Sequence, residues 1–348
     1  MTAPNLPLLV ADALATRYDL PGTDPLPVHG GQNTVNFHAT AKARKVFVKT
    51  YATGIDLGTE GQAIALSEHA GAHGVPVAPV IQNHNGQVID DAGRVSFSVW
   101  EWVDGHVVTI PDMSRCSLAG AALGHIHTAF AGLPVTEDNR TAALSRWRIT
   151  DVAGITATID HLLATIDTHH EQDRFDSVAA ATLAERRSML THLPALTSQV
   201  SEELAVQVLH RDFSPVNLLY TPHGDLAAIL DFTPPRPDLV SYDVGRMAFY
   251  PHTVTGTDDW LDLARTFITA YLDTQPRIRA ADVRACGRIA LIQLLRSLYG
   301  VKQHYLAPGL DQAALDDFWV LRHRTARTLL ENLDDTDRML DDLSRHLR

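Results

Sequence analysis

The pattern of apolar residues changes once along the chain, near residue 104, and this change limits the architectures that the chain can adopt. Before it, residues 26–51 hold short runs rich in valine, phenylalanine and threonine, which are typical of strands. A helical pattern follows over 57–72. Residues 86–103 then predict a hairpin whose turn is Asp-Asp-Ala-Gly at 90–93. These features indicate a small antiparallel sheet accompanied by a helix.

Beyond this point the sequence is mostly helical, with apolar residues at i, i+3 and i+4 in windows such as 288–301. The exception is an apolar strand at 204–209, followed by a polar loop and two short strands joined by the turn Thr-Pro-His-Gly-Asp at 221–225. The sequence therefore predicts an α+β fold of two lobes. A small antiparallel sheet lobe spans residues 1–103, and a larger, mostly helical lobe spans residues 104–348.

Charge and cysteine content exclude several classes of function. The formal net charge of −12 argues against a general nucleic-acid-binding protein, which would carry a basic surface. Cys116 and Cys286 lie in no CxxC pair, so they form neither a disulfide framework nor a zinc motif. No apolar run reaches the roughly 18 residues of a membrane-spanning helix. We therefore expect a cytoplasmic protein with no membrane or nucleic-acid partner.

Four polar residues stand at the ends of apolar strands in an order that suits phosphoryl transfer. The loop after the strand 204–209 has the pattern H-x-D-x-x-x-x-N and contains Asp212 and Asn217, while Asp231 ends a later strand and Lys49 an earlier one. Phosphoryl transfer needs a carboxylate to orient the acceptor hydroxyl, oxygen ligands for Mg²⁺, and a cation for the nucleotide phosphates. The joint pattern predicts that chemistry, although each residue alone would more often be an ordinary loop residue.

Several segments resemble the aminoglycoside phosphotransferase family of small-molecule kinases, which share the protein-kinase fold. Their order from about residue 28 to residue 250 is that of the family. The segments are LHRDFSPVNLL (209–219), ILDF (229–232), YDVGRM (242–247), GVPVAPVI (74–81) and VWEWVDG (99–105). The first resembles the family's catalytic loop, the second its metal-binding strand end, and the third a recurrent helix start.

The resemblance implies roles for the four polar residues and for two neighbours. Asp212 would be the catalytic base, Asn217 and Asp231 would bind Mg²⁺, and Lys49 would contact the α and β phosphates of the nucleotide. His210 would brace the loop, and Asp243 would cap or anchor its helix.

The resemblance also implies where the nucleotide binds. Gly30 and Gly31 would lie in a flap over the phosphates, and the backbone from Glu101 to Val103 would hold the adenine. Glu60 would pair with Lys49, with Glu68 as the alternative. The donor would be ATP, with GTP possible.

The acceptor is left open by the sequence. An aminoglycoside-like antibiotic suits the acidic charge and the family, so it is the first expectation. A sugar, an amino alcohol of the homoserine or choline type, or a nucleoside-type compound suits the same machinery. Asp258, Asp259 and Asp262 could bind ammonium groups, but acidic residues at a helix start are usually solvated. The sequence does not indicate the oligomeric state.

Two further hypotheses are less well supported. A protein kinase is disfavoured because Thr233 stands where the Asp-Phe-Gly motif has glycine and no Ala-Pro-Glu motif follows. A catalytically idle kinase fold that only binds ligands is disfavoured because Lys49, Asp212, Asn217 and Asp231 are all present. The sequence thus favours an enzyme that phosphorylates a small-molecule hydroxyl.

Overall fold

The structure, a computed structural model, describes residues 5–28, 34–171, 173–275 and 277–347. The chain divides into two compact units. The first comprises Met1–Val107 and Asn217–Pro235, and the second comprises Val108–Val216 and Arg236–Arg348. The sequence-based division at 103/104 lies close to the first of these boundaries. It did not place residues 217–235 with the first unit, because that return of the chain depends on pairing between strands distant in sequence.

Strands and helices are numbered in chain order. The strands are β1 (Leu26–Val28), β2 (Asn36–Ala41), β3 (Arg44–Tyr51), β4 (Val80–Ile81), β5 (Ser96–Glu101), β6 (His106–Val107), β7 (Val206–Val208), β8 (Leu218–Tyr220), β9 (Leu226–Ile229) and β10 (Pro237–Leu239). The helices are α1 (Leu6–Arg17), α2 (Leu57–Ala72), α3 (Met113–Phe130), α4 (Glu137–Arg148), α5 (Val152–Asp167), α6 (Arg174–Met189), α7 (Leu193–Ser198), α8 (Val240–Ala248), α9 (Pro251–Gly256), α10 (Trp260–Thr274), α11 (Ala280–Arg296), α12 (Val301–Leu306), α13 (Gln312–Glu331) and α14 (Leu333–Ser344). Single 3₁₀ turns occur at Leu190–His192 and Pro215–Asn217.

The first unit contains a five-stranded antiparallel sheet in the order β1-β2-β3-β5-β4. In β3, Val46 and Val48 are fully buried and pack in a cluster that includes Leu14 of α1. Because successive side chains of a strand point to opposite faces, Lys49 lies on the face opposite to these valines. The sheet thus has one face covered by α1 and presents Lys49 on the other.

A second, three-stranded sheet in the first unit has the order β6-β8-β9. The predicted turn at 221–225 is confirmed: Thr221 and Asp225 are hydrogen-bonded, and Gly224 has φ of 93°. That value lies in the left-handed region that glycine adopts without steric cost. The turn brings the residues before β8 and after β9 to the same end of the hairpin.

The hairpin predicted over 86–103 is wrong in its first half. Only β5 forms a continuous strand there, and Asp90 and Phe97 pair as an isolated bridge. The reason is the fully buried carboxylate of Asp90, which pairs with Arg17 at 3.0 Å and accepts a hydrogen bond from the Ala92 amide. Side-chain bonds to this aspartate replace a regular ladder.

The second unit is helical except for the two-stranded antiparallel sheet of β7 and β10. Helices α3 and α10 pack closely because Gly120 lacks a side chain: a Cβ there would lie 2.1 Å from the carbonyl oxygen of Phe267. Among the described residues, no single helix has the length and apolar composition to cross a membrane, and only the bent pair α4–α5 meets that test when counted together.

Candidate active site

Lys49 of β3 lies between two carboxylates in the first unit. Its Nζ atom is 3.6 Å from Oε2 of Glu60 and 3.5 Å from Oδ1 of Asp231. Burial lowers the pKa of Lys49, but the Asp231 and Glu60 carboxylates outweigh that effect, so its pKa lies above the ordinary value. The ammonium group is therefore held charged and in a fixed place at neutral pH.

Glu60 is brought to Lys49 by the start of α2. The side chain of Asp56 caps this helix by accepting hydrogen bonds from the amides of Gly58 and Thr59. The capped start places Glu60 in the first turn, where a carboxylate is also favoured by the helix dipole. Of the two glutamates considered, Glu60 lies beside Lys49, whereas Glu68 is exposed.

Asn217 and Asp231 flank the same end of the β8–β9 hairpin. Leu218 pairs with Ile229, and the amide of Leu230 donates to the carbonyl of Asn217 at 2.9 Å. Asp231 has φ of 59°, a left-handed conformation that costs a non-glycine residue about 1 kcal/mol or more. Such strain is commonly found at functional positions.

These two residues suit Mg²⁺ by donor chemistry. Asn217 supplies a carboxamide oxygen, and Asp231 a carboxylate that is 58% exposed and so open to a further ligand. Mg²⁺ is usually held by one or two protein oxygens, with waters and phosphate oxygens completing the octahedron. No group of three or more histidine, cysteine or acidic side chains within the described ranges could hold a metal by itself. By its donor atoms, the hairpin end fits a metal whose remaining ligands would be waters or phosphate oxygens.

The predicted adenine-binding segment follows the end of β5. The amide of Glu101 donates to the carbonyl of Pro79, and its carboxylate pairs with Arg44. In contrast, neither the amide nor the carbonyl of Val103 is hydrogen-bonded within the part of the chain that the structure describes. Those two backbone groups are available to a planar ligand. Gly30 and Gly31, predicted to lie over the phosphates, are outside the described residues.

The loop carrying Asp212 in the second unit is held from beneath by Asp243 of α8. Arg211 adopts φ of 67°, and its amide donates to the Asp243 carboxylate at 3.0 and 3.2 Å. Asp243 is fully buried and lies 3.4 Å from Nε2 of His127, whose Nδ1 atom is 2.8 Å from the hydroxyl of Tyr271. Burial raises the pKa of Asp243, but its hydrogen bonds and the nearby charges lower that pKa by more, so it lies below the ordinary value.

Asp243 therefore anchors the loop and does not cap its helix. The helix begins at Val240 after Leu239, which provides no side-chain cap. His210 is also fully buried, and its Nδ1 atom lies 3.3 Å from the amide of Asp212. The two contacts fix the backbone at Arg211 and at Asp212, the predicted base.

The side chain of Asp212 forms an ion pair with Arg246 of α8. Burial lowers the pKa of Arg246, but the Asp212 carboxylate outweighs that effect and leaves the pKa above its usual range. Sequence reasoning missed Arg246. The signal that could have found it is its i, i+3 spacing from Asp243, which puts both side chains on the face of α8 that meets the loop.

Asp258, Asp259 and Asp262, considered as ammonium ligands, are all exposed. They lie in and just before the first turn of α10, and the side chain of the N-cap residue Asp259 forms no cap bond. Exposed carboxylates of this kind are usually solvated.

Comparison with known proteins decides the family. The model of the "Phosphotransferase enzyme family" matches residues 25–282, which is most of the chain. The chain belongs to this family. Members of this phosphotransferase family phosphorylate hydroxyl groups of small molecules, as the sequence predicted.

Related phosphotransferases differ in the acceptors for which they are named. A homoserine kinase of Azorhizobium caulinodans is 25% identical over 270 residues, which cover 77% of this chain and 76% of that protein. A homoserine kinase of Beijerinckia indica is 28% identical over 187 residues, or 52% of this chain and 50% of that protein. Among solved structures, a spectinomycin phosphotransferase in complex with ADP and spectinomycin has a TM-score of 0.65 at 12% identity, covering 99% of each chain. That likeness confirms the predicted two-lobed, kinase-like fold.

Proposed function

We propose that this phosphotransferase transfers the γ-phosphoryl group of ATP to the hydroxyl of a compact amino alcohol of the homoserine type, with Mg²⁺ as cofactor. The observation that carries the proposal is Lys49, which lies within 3.6 Å of both Glu60 and Asp231. Phosphoryl transfer needs a positioned lysine for the nucleotide phosphates and oxygen ligands for Mg²⁺. Lys49 supplies the first, and Asp231 together with Asn217 would supply the second.

On the nucleotide side, the ammonium group of Lys49 binds the α and β phosphates, and Glu60 keeps that group in place. The Val103 amide and carbonyl bind the adenine edge. Asn217 and Asp231 would hold Mg²⁺, which neutralises the charge of the phosphate oxygens when bound. GTP is the alternative donor, since backbone groups alone do not fix the base.

On the acceptor side, Asp212 accepts a hydrogen bond from the substrate hydroxyl and takes its proton as the new oxygen–phosphorus bond forms. The bond between the γ-phosphorus and the bridging oxygen breaks, and ADP leaves with that electron pair. Asp243 and His210 hold the loop so that the carboxylate is already oriented. Pre-orientation of this kind lowers the barrier because little reorganisation is needed during the reaction.

The curated relatives support the choice of acceptor, because both matches described above are homoserine kinases. An aminoglycoside-like acceptor, the first expectation from the sequence, is the second candidate. The acidic side chains at the start of α10 would be its ammonium ligands, although their exposure favours solvation.

A screen for ADP release tests the proposal. Purified protein is supplied with ATP, Mg²⁺ and one acceptor at a time: homoserine, choline, ethanolamine, sugars, and aminoglycosides including spectinomycin. We expect turnover with homoserine or a close analogue, and a phosphomonoester resonance in the phosphorus NMR spectrum of the product. Turnover with an aminoglycoside alone would establish the second candidate. ATP binding without turnover of any acceptor would support the hypothesis of a catalytically idle kinase fold that only binds ligands.

A further inference from the structure

The second unit contains a small pocket beside Asp212 that the reaction described above leaves unassigned. We call it the arginine pocket; its principal lining residues are Tyr242, Arg246, Tyr250, Phe318 and Arg322. Its cavity has a volume of about 30 Å³. That is room for one or two water-sized groups, and too little for a sugar ring. Arg246 belongs to both places, because it lines the pocket and forms the ion pair with Asp212.

Arg322 of α13 is the feature of the pocket that demands a partner. The residue is only 6% exposed, and its Nε and Nη2 atoms have no hydrogen-bond partner within the described residues. Its guanidinium lies 5.6 Å from the centre of the Phe318 ring, a cation–π contact that offsets part of the cost of burial. Two buried guanidinium nitrogens without hydrogen-bond acceptors nevertheless remain costly, typically by a few kcal/mol.

The charges around Arg322 are of one sign. The groups that act on it are the cation of Arg246 and the hydroxyls of three tyrosines, Tyr242, Tyr250 and Tyr299. Burial and the neighbouring Arg246 lower the pKa of Arg322 to about 10, so it is still charged at neutral pH. Tyrosine hydroxyls are neutral there, and burial raises the pKa of Tyr250 further. Asp212 is already paired with Arg246, so the pocket carries an uncompensated positive charge.

Arg186 offers a comparison, because its Nε and Nη2 atoms also have no hydrogen-bond partner within the described residues. It is also fully buried and lies over an aromatic ring, Trp319. Its Nη1 atom, however, donates to the carbonyls of Leu294 and Ser297. Arg186 is thus bound to the protein backbone through Nη1 and does not line the pocket, whereas Arg322 lines it, so its unpartnered donors can be reached by a ligand there.

We propose that the arginine pocket binds a carboxylate of the acceptor through Arg322 and Arg246, so that the substrate is a short hydroxy acid or hydroxy amino acid. The proposal rests on the proposed function, because it uses the Asp212 of the same reaction. A planar guanidinium matches a carboxylate through two parallel hydrogen bonds. Since Arg246 contacts Asp212 and lines the pocket, a hydroxyl at Asp212 and a carboxylate at Arg322 require a compact molecule.

The test compares acceptors that differ by one group. L-Homoserine carries hydroxyl, amine and carboxylate; 3-aminopropan-1-ol lacks the carboxylate, and 4-hydroxybutanoate lacks the amine. Glycerol 3-phosphate offers a phosphate as the anion. We expect kcat/KM to be at least about tenfold higher for L-homoserine and 4-hydroxybutanoate than for 3-aminopropan-1-ol, because a charged hydrogen bond contributes about 1.5–3 kcal/mol. A preference for glycerol 3-phosphate would overturn the assignment to a carboxylate.

Variants of the second unit assign the effect to Arg322. We expect Arg322→Gln to bring the ratio of kcat/KM between L-homoserine and 3-aminopropan-1-ol close to one, mainly through a higher KM for homoserine. Arg322→Lys, which keeps the charge but not the planar fork, should give an intermediate ratio. Arg327→Gln is the matched control, because Arg327 lies on the same helix with its side chain 48% exposed. A ratio that Arg322→Gln leaves unchanged would overturn the proposal.

A binding measurement separates failure of this proposal from failure of the proposed function. The melting temperature of the protein is measured without nucleotide, in the presence of L-homoserine, 4-hydroxybutanoate or 3-aminopropan-1-ol. We expect the two carboxylates to raise it in the wild type but not in Arg322→Gln. This result without turnover would retain the pocket and reject the reaction. Turnover of acceptors without a carboxylate, with no stabilisation by either acid, would retain the reaction and reject the pocket.

Discussion

The cluster of charged groups around Lys49 has an excess of negative charge, and the cluster around Asp212 has an excess of positive charge. In the first unit one cation, Lys49, lies between the carboxylates of Glu60 and Asp231. In the second unit one carboxylate, Asp212, pairs with Arg246, while Arg322 next to it has unpartnered donors within the described residues. The negative excess suits a bound cation, and the positive excess suits a bound anion. On the function proposed above, metal and acceptor would be recognised by separate clusters of opposite charge.

The two clusters also differ in burial. The Asp231 side chain is 58% exposed, whereas Arg322 is 6% exposed. An exposed carboxylate keeps its hydration and can exchange a water for a metal at little cost. A buried guanidinium has already lost its hydration, so a fitting anion gains the full strength of the interaction. We therefore expect the first cluster to tolerate substitution in stability and the second to discriminate between ligands.

Replacing Asp212 is expected to have the largest effect on activity. Asp212→Asn removes the proton acceptor but keeps the size of the side chain, so kcat should fall by about 10²–10⁴-fold. ATP binding, measured by calorimetry, should be unchanged, because Asp212 is proposed to act on the acceptor and pairs with Arg246, not with Lys49. Retention of the wild-type kcat would show that Asp212 is not the proton acceptor. The comparison between the two charged clusters would then have no functional meaning.

Replacing Asp243 is expected to have the largest effect on stability. Asp243→Asn removes the buried charge that accepts the Arg211 amide and faces His127, at a cost of about 3 kcal/mol. Thermal unfolding measures the loss. The exposed Asp231→Asn is the matched control, with an expected change below about 1 kcal/mol, since asparagine also tolerates a left-handed backbone. Equal losses would contradict the difference in burial.

The stability difference between the wild type and Asp243→Asn should depend on pH, with a defined sign. The pKa of Asp243 is lower in the folded protein than its ordinary value, so its ionised form stabilises the fold. This contribution is complete above the unfolded pKa, about 4, and is lost as the pH falls through the folded pKa. The difference in stability between wild type and Asp243→Asn should therefore be constant from pH 5 to 8, on the order of 3 kcal/mol, and shrink in more acid solution.

Replacing Lys49 is expected to have a smaller effect, confined to the nucleotide. Lys49→Met removes one charged contact to the phosphates and should weaken ATP binding by roughly 10- to 100-fold. Lys45→Met is the control: Lys45 is on the same strand, but its Nζ atom lies 3.1 Å from Asp104. An equal loss of ATP affinity in both variants would show that the position of Lys49 between Glu60 and Asp231 has no special role in nucleotide binding.

The smallest effect is expected from the acidic start of α10. Asp258→Asn, Asp259→Asn and Asp262→Asn together should change KM for the acceptor by less than about twofold, because exposed carboxylates are solvated and screened. Steady-state kinetics with homoserine and with spectinomycin measure the change. A tenfold higher KM for spectinomycin would support the antibiotic-type acceptor.

The nucleotide side could be predicted from the sequence because its signals are local. The helical period over 57–72 coincides with α2, and the turn at 221–225 follows from its glycine. Lys49 and Asp231 each follow a short apolar run that the sequence pattern reveals, although β3 continues to Tyr51 and β9 ends at Ile229. The resemblance to a family then predicted the pairing of Lys49 with Glu60, whereas the contact of Lys49 with Asp231 was not predicted.

The acceptor side could not be predicted because its contacts join distant segments. Arg322 reaches the pocket from α13, about a hundred residues after Asp212, and nothing in the local pattern of a long helix marks one arginine as buried. The hairpin predicted over 86–103 failed for a related reason, since the buried charge of Asp90 is satisfied by Arg17. Charges that are neutralised or left unpartnered by tertiary contacts leave little trace in sequence periodicity.

The central claim is that Arg322 recognises the carboxylate of the acceptor. Its most direct test is the ratio of kcat/KM for L-homoserine to that for 3-aminopropan-1-ol, measured with the wild type and with Arg322→Gln. The account predicts a ratio of at least about ten for the wild type and close to one for the variant. Equal kcat/KM values for the two acceptors in the wild type would contradict it.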